Sequence, residues 1–87
     1  MPIATTPADL GALIRERRVA LGLSQLELAR RAGVSRQWIV GVEAGKDRAE
    51  VGRLFRVLNT LDLAVRVDPR PQDTLDAILA RARGSGS

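Results

Sequence analysis

The tightest constraint in this sequence is a pair of short helices with almost no chain between them. In "LSQLELARRAGVSRQWIVGVEAGK", Ser24 stands where an N-cap belongs, and Glu27 completes an [ST]-x-x-[DE] capping box. Gly33 closes that helix after about two turns, and Ser35 opens the next with only Val34 between them. A helix of two turns does not persist alone in water, so it must be packed against something. Leu28, Ala29 and Ala32 form its inward face. The following helix runs from Ser35 to about Ala44 and stops at Gly45. Ile39 and Val42 share one face with Val34 at its foot, while Arg36, Gln37, Val40 and Gly41 collect on the other.

The flanking segments follow the same grammar. "TTPADLGALIRERRVALG" predicts a helix capped by Thr6, with Pro7 at its first position, Asp9 in a capping box and Gly22 as the stop. Leu10, Leu13, Ile14 and Leu21 make its apolar stripe, and Arg15, Glu16, Arg17 and Arg18 are assigned to solvent. A further helix over about 50–61 carries Val51, Leu54, Phe55, Leu58 and Leu61. The period then changes from 3.6 to 2. In "LDLAVRVDP" Leu61, Leu63, Val65 and Val67 alternate with polar or small residues, which predicts a strand ended by Pro69. A lone strand is not stable in water, and no second strand is visible in the sequence, so its simplest partner is the same strand of a second copy. After "PRPQD", Asp73 caps a short amphipathic helix with Leu75, Ile78, Leu79 and Ala82 on one side. The expected organisation is 1–61, a helical unit; 62–69, a dimerisation strand; 70–83, an amphipathic segment; and 84–87, a flexible tail or cloning scar.

Composition narrows the chemistry. The 87 residues contain no Cys and no His, which excludes a disulfide framework, a zinc finger and catalysis through a thiol or imidazole. The carboxylates are scattered beside arginines and no Gly-rich phosphate loop is present, so no enzyme, cofactor or metal is expected. Apolar residues make up 45% but aromatics only 2%, so the core must be Leu, Val, Ile and Ala. Fourteen basic residues against ten acidic give +4; all the basic residues but Lys46 are Arg, the side chain suited to bidentate contacts with phosphate and guanine. No apolar run approaches the ~18 residues of a membrane span, and a cytoplasmic, nucleoid-associated protein is expected.

Helix, Gly-containing turn and helix make a helix-turn-helix, whose second helix enters the major groove of DNA. The wider pattern resembles the lambda-repressor/Cro-like (XRE) helix-turn-helix family. The match rests on Arg18, Gly22, Leu23, Ser24, Gln25, Leu28, Ala29, Gly33, Val34, Ser35, Ile39, Val42, Glu43 and Gly45, about half the chain at the family's spacing. The resemblance implies an all-α, five-helix domain that binds DNA as a two-fold dimer. "LFRVLNTLDLAVRVDP" is similar to the end of HipB-type antitoxins, in which strands from two subunits pair. That likeness implies a homodimer on palindromic operator DNA, a HipA-like kinase toxin as partner, and repression of the protein's own operon. The alternatives are a phage-type or restriction-controller regulator without a toxin, and a protein-interaction module on the same fold.

Site residues follow from the motif and the resemblance together. Ser35, Arg36, Gln37 and Val40 are expected at base edges. Arg pairs with guanine and Gln with adenine in bidentate fashion, and Val meets a thymine methyl. Gln25, Trp38, Lys46 and Arg48 are expected at the DNA backbone, with Arg17 and Arg53 weaker candidates. Trp38 is read as support, its indole N–H turned toward a phosphate. The resemblance implies an ion pair between Arg18 and Glu43 that braces the first helix against the third. Leu63, Val65 and Val67 are the dimer strand, and Leu75, Ile78 and Leu79 either dock on the core or bind the toxin. Gly41, where a polar reader is usual, leaves two options: a helix unusually close to DNA, or a site that reads fewer bases.

Overall fold

The computed structural model describes residues 3–69 together with Leu79 and Ala82. Four helices follow in order: α1 (Pro7–Ala20), α2 (Gln25–Ala32), α3 (Arg36–Glu43) and α4 (Val51–Thr60). Their starts are written in the sequence. Thr6 Oγ1 accepts from the Asp9 N–H at 3.1 Å, Ser24 Oγ from Glu27 at 3.0 Å, and Ser35 Oγ from Trp38 at 3.0 Å. At Ser24 the box is complete, because Glu27 Oε1 accepts from the Ser24 N–H. At α1 it is not: Asp9 Oδ2 reaches past Thr6 to the N–H and hydroxyl of Thr5, at 3.0 and 3.2 Å. Hydrogen bonds from Thr5 and Ser24 hold the Asp9 and Glu27 carboxyls below the ordinary range.

The ends are equally local. Gly33 (φ 72°) turns the chain between α2 and α3 in the left-handed region, where a Cβ would be strained. After α4 the same task falls to Asp62 (φ 56°), and the Leu63 N–H returns to the Leu58 carbonyl at 2.8 Å. That reversal sends residues 63–69 away in non-helical conformation. The family resemblance implies five helices; four have bounds among the described residues, all before residue 61. Residues 62–69, expected as a strand, form no strand ladder among the described residues. Leu63 packs against the core, whereas Val65 and Val67 are exposed. Leu79 and Ala82 are helical and Leu79 is exposed; Leu75 and Ile78 lie outside the described residues.

The core is Ile14, Leu28, Ala29, Ala32, Ile39, Val42, Val57, Leu58 and Leu61, entirely aliphatic as the composition requires. All three inward residues expected on α2 are in it. Two stripes need correction. Leu21 is exposed because α1 ends at Ala20 and Leu21 is already the cap. On α4, Val51 and Phe55 face outward and Val57 is buried instead, since α4 packs against α2 along the edge of its stripe that holds Leu54, Val57, Leu58 and Leu61. Where α1 crosses α3, Gly11 is buried and its Cα lies against the Val42 carbonyl. No helix among the described residues is long and apolar enough to cross a membrane.

Candidate nucleic-acid interface

The site is built on one polar chain that starts inside the protein and ends at its surface. The Glu43 side chain is 4% exposed and that of Arg18 11%. Arg18 Nε donates to Glu43 Oε2 at 2.7 Å and its Nη2 to Oε1 at 3.0 Å, a bidentate fork. The third arm, Nη1, donates to the Leu23 carbonyl at 2.8 Å. Thus one guanidinium ties α1 to α3 and to the α1–α2 turn. The hydrogen bond to Glu43 pushes the Arg18 pKa further above its ordinary value. Among the described residues no buried side-chain nitrogen or oxygen is left without a partner, the condition under which such a network rigidifies a small fold.

Gln25 extends this chain outward. Its Nε2 donates to Glu43 Oε1 at 3.3 Å, and its Oε1 accepts from Arg36 Nη2 at 3.5 Å. A carboxylate only accepts, so it orients the Gln25 amide with its oxygen toward Arg36. Arg36 and Gln37 are both exposed on the first turn of α3. Through Gln25 the ion pair is thus connected to Arg36 at the surface, by a last contact of 3.5 Å.

The remaining candidates lie along α3 and in the segment after it. Ser35 Oγ is occupied as the α3 cap, which leaves its hydroxyl hydrogen to donate outward. Trp38 is half-buried and packs against the core. Val40 is 39% exposed. Lys46 and Arg48 are exposed in the segment after α3. Arg17 is a correction: it does not run free in solvent but donates through Nε to the Leu61 carbonyl at 3.0 Å, satisfying the end of α4. A basic residue near a helix end is ambiguous in sequence, and this acceptor lies 44 residues away.

Gly41 needs the largest revision. It is buried, not on the outer face. The Gly45 N–H returns to Val42 and the Lys46 N–H to Gly41, both at 3.0 Å, a Schellman closure that folds Lys46 back along the helix. Its Cδ, Cε and Cγ lie 3.1, 3.7 and 3.8 Å from where a Gly41 Cβ would stand. Gly41 makes room for the Lys46 methylenes. The signal was present in the sequence: a Gly45–Lys46 pair after a helix predicts that Lys46 closes over the residue five before it.

Comparison with known proteins agrees with this geometry. Residues 14–67, more than half of the chain, match the helix-turn-helix family model. Over 62 residues the chain is 47% identical to an uncharacterized HTH-type transcriptional regulator, y4mF, of Sinorhizobium fredii (strain NBRC 101917 / NGR234), covering 71% of this chain and 82% of that protein. The restriction-modification controller protein C.AhdI from Aeromonas hydrophila superposes with a TM-score of 0.63 at 33% identity, over 67% of this chain and 88% of that one. A chain of a HipA-HipB-O2-O3 complex superposes with a TM-score of 0.73 over 79% of this chain and 97% of its own; at 23% identity this likeness concerns the fold. With its capped α2–α3 pair, its braced third helix and these relatives, the chain belongs to the XRE-type helix-turn-helix family of transcriptional regulators.

Proposed function

We propose that the protein is a sequence-specific repressor that binds a palindromic operator as a homodimer, with α3 in the major groove and Arg36 and Gln37 at base edges. The observation that carries this reading is the division of α3. Ile39, Val42 and Glu43 fix it from within, while Arg36 and Gln37 stand exposed at its N-terminal turn. Lys46 and Arg48, in the segment after α3, are the phosphate contacts at its other end, and the Trp38 indole N–H is a further one at the first turn. In this account Gln25 both steadies Arg36 and reaches the backbone.

The dimer is proposed through residues 63–69. Val65 and Val67 are 52% and 91% exposed on a segment whose backbone has no ladder among the described residues. Pairing with its copy satisfies that backbone and covers both valines. An operator-binding antitoxin that controls its own operon and holds a HipA-like kinase follows as the finer reading, supported by this C-terminal segment and by the fold shared with the HipA-HipB-O2-O3 chain. The identity to C.AhdI favours the second reading, a restriction-controller type of regulator without a toxin. A kinase-like gene beside this one would support the first, and an endonuclease gene the second.

Footprinting on the DNA upstream of the protein's own gene tests the common part. Two protected half-sites about one helical turn apart are expected, with protection falling steeply as salt rises. Absence of protection at low salt, or protection without sequence preference, would contradict it.

A further inference from the structure

Within one turn, the exposed face of α3 changes from hydrogen-bonding side chains to apolar ones. Val40 follows Arg36 by four residues and Gln37 by three, so it shares their side of the helix. It is the one large apolar residue of α3 that is exposed, at 39%. Ala44, a turn beyond it, is exposed and caps the helix. The two residues that could have supplied other readers are withdrawn: Gly41 lies under the Lys46 methylenes, and Glu43 is turned inward onto Arg18. On the side of α3 that Arg36, Gln37 and Val40 share, the helix past Gln37 therefore offers carbon to a base edge; the half-buried Trp38 keeps its indole N–H for the backbone.

In the major groove the apolar group that a base presents is the C5-methyl of a pyrimidine, carried by thymine and equally by 5-methylcytosine. We propose that Val40, with Ala44 behind it, reads a pyrimidine C5-methyl group at one position of each half-site. This rests on the DNA-binding function proposed above and extends it: at that position thymine is preferred over uracil, and a methylated cytosine over an unmethylated one. Binding is then sensitive to cytosine methylation of the operator, through a contact that needs no hydrogen bond. Polar side chains at these positions would discriminate by donor and acceptor; Val40 discriminates by the presence of the methyl group.

The test uses the full chain and duplexes carrying the footprinted site. Each thymine is replaced in turn by uracil, symmetrically in both half-sites. At the position read by Val40, the cytosine and 5-methylcytosine duplexes are also compared. Each pair differs by a single methyl group per half-site. Burying one methyl is worth about fourfold in affinity, so about 15-fold is expected for a symmetric pair. The thymine–uracil arm reports on an unmodified operator, and the cytosine arm on a methylated one. In Val40→Ala both ratios should fall close to one while dependence on the base met by Arg36 persists; circular dichroism confirms the fold. Sequence-specific binding with a thymine–uracil ratio of one at every position would overturn this inference alone. So would a ratio left unchanged in Val40→Ala. Failure to bind any duplex at low salt would overturn the repressor reading along with it.

Discussion

Replacing Glu43 by Gln is expected to lower the thermal midpoint of the protein by about 15–20 °C. The substitution keeps the shape of the side chain but faces Arg18 with an amide, one of whose groups is a donor. Arg18 would keep its charge in a site where its side chain is 11% exposed. Breaking a buried pair by removing one partner costs about 3–5 kcal/mol, against about 0–1 for a surface pair. The remaining amide oxygen places this case near ~3 kcal/mol, and a domain of this size loses about 4–8 °C per kcal/mol. Little reserve remains in a fold whose total stability is of order 5–15 kcal/mol. Combining Arg18→Met with Glu43→Leu should restore most of the loss, because it removes the stranded charge. A midpoint shift below about 5 °C in Glu43→Gln, measured by circular dichroism, would mean that the pair behaves as a surface contact.

Gly11→Ala is expected to destabilise as well, although helix propensity points the other way. In an open helix Ala is favoured over Gly by about 1 kcal/mol. At Gly11 the added methyl would overlap the Val42 carbonyl oxygen and lie 3.1 Å from that of Glu43. Both are backbone atoms of α3, which cannot rotate aside, so α1 and α3 would have to separate. Overpacking of this kind costs about 1–3 kcal/mol and sometimes more. A net loss of about 2 kcal/mol, or roughly 10 °C, follows. Gly52→Ala is the internal control: nothing lies within 4 Å of the added methyl there, and a small gain in stability is expected. Equal gains at both positions would rule out the close crossing that sets the pose of α3.

The two helices of the motif could be read almost completely from the chain because their determinants are local. Ser24, Glu27, Gly33, Ser35 and Gly45 act within a few residues, and the structure uses each as a cap or stop. What escaped was tertiary. Periodicity gives α4 an apolar stripe but not the edge of it that α2 will cover, and Val51 and Phe55, on that stripe, lie outward. Gly11 carries no pattern, since its reason is a carbonyl on another helix. Arg17 reads as one more surface base because its acceptor belongs to the end of α4. The Arg18–Glu43 pair, 25 residues apart, came from the family resemblance; no spacing rule connects the two. At the candidate interface, exposure of Arg36 and Gln37 followed directly from their place on α3. The Gln25 link between Arg36 and the buried carboxylate did not, because it needs three elements brought together.

In the proposed function that link joins the fold to its use: the brace that holds α3 by Glu43 is connected through the Gln25 amide to Arg36. Under that proposal Arg36 serves discrimination, and the surrounding basic residues serve bulk attraction. The central claim is therefore best tested by one ratio: affinity for the footprinted site over affinity for a scrambled duplex, for wild type and Arg36→Ala at fixed salt. Wild type should prefer the site by ~10³-fold or more. Arg36→Ala should lose about 30-fold or more of that preference, concentrated at one guanine of each half-site, while binding to the scrambled duplex changes little. An Arg36→Ala protein that keeps the full ratio, or that loses affinity for both duplexes equally, would contradict the account.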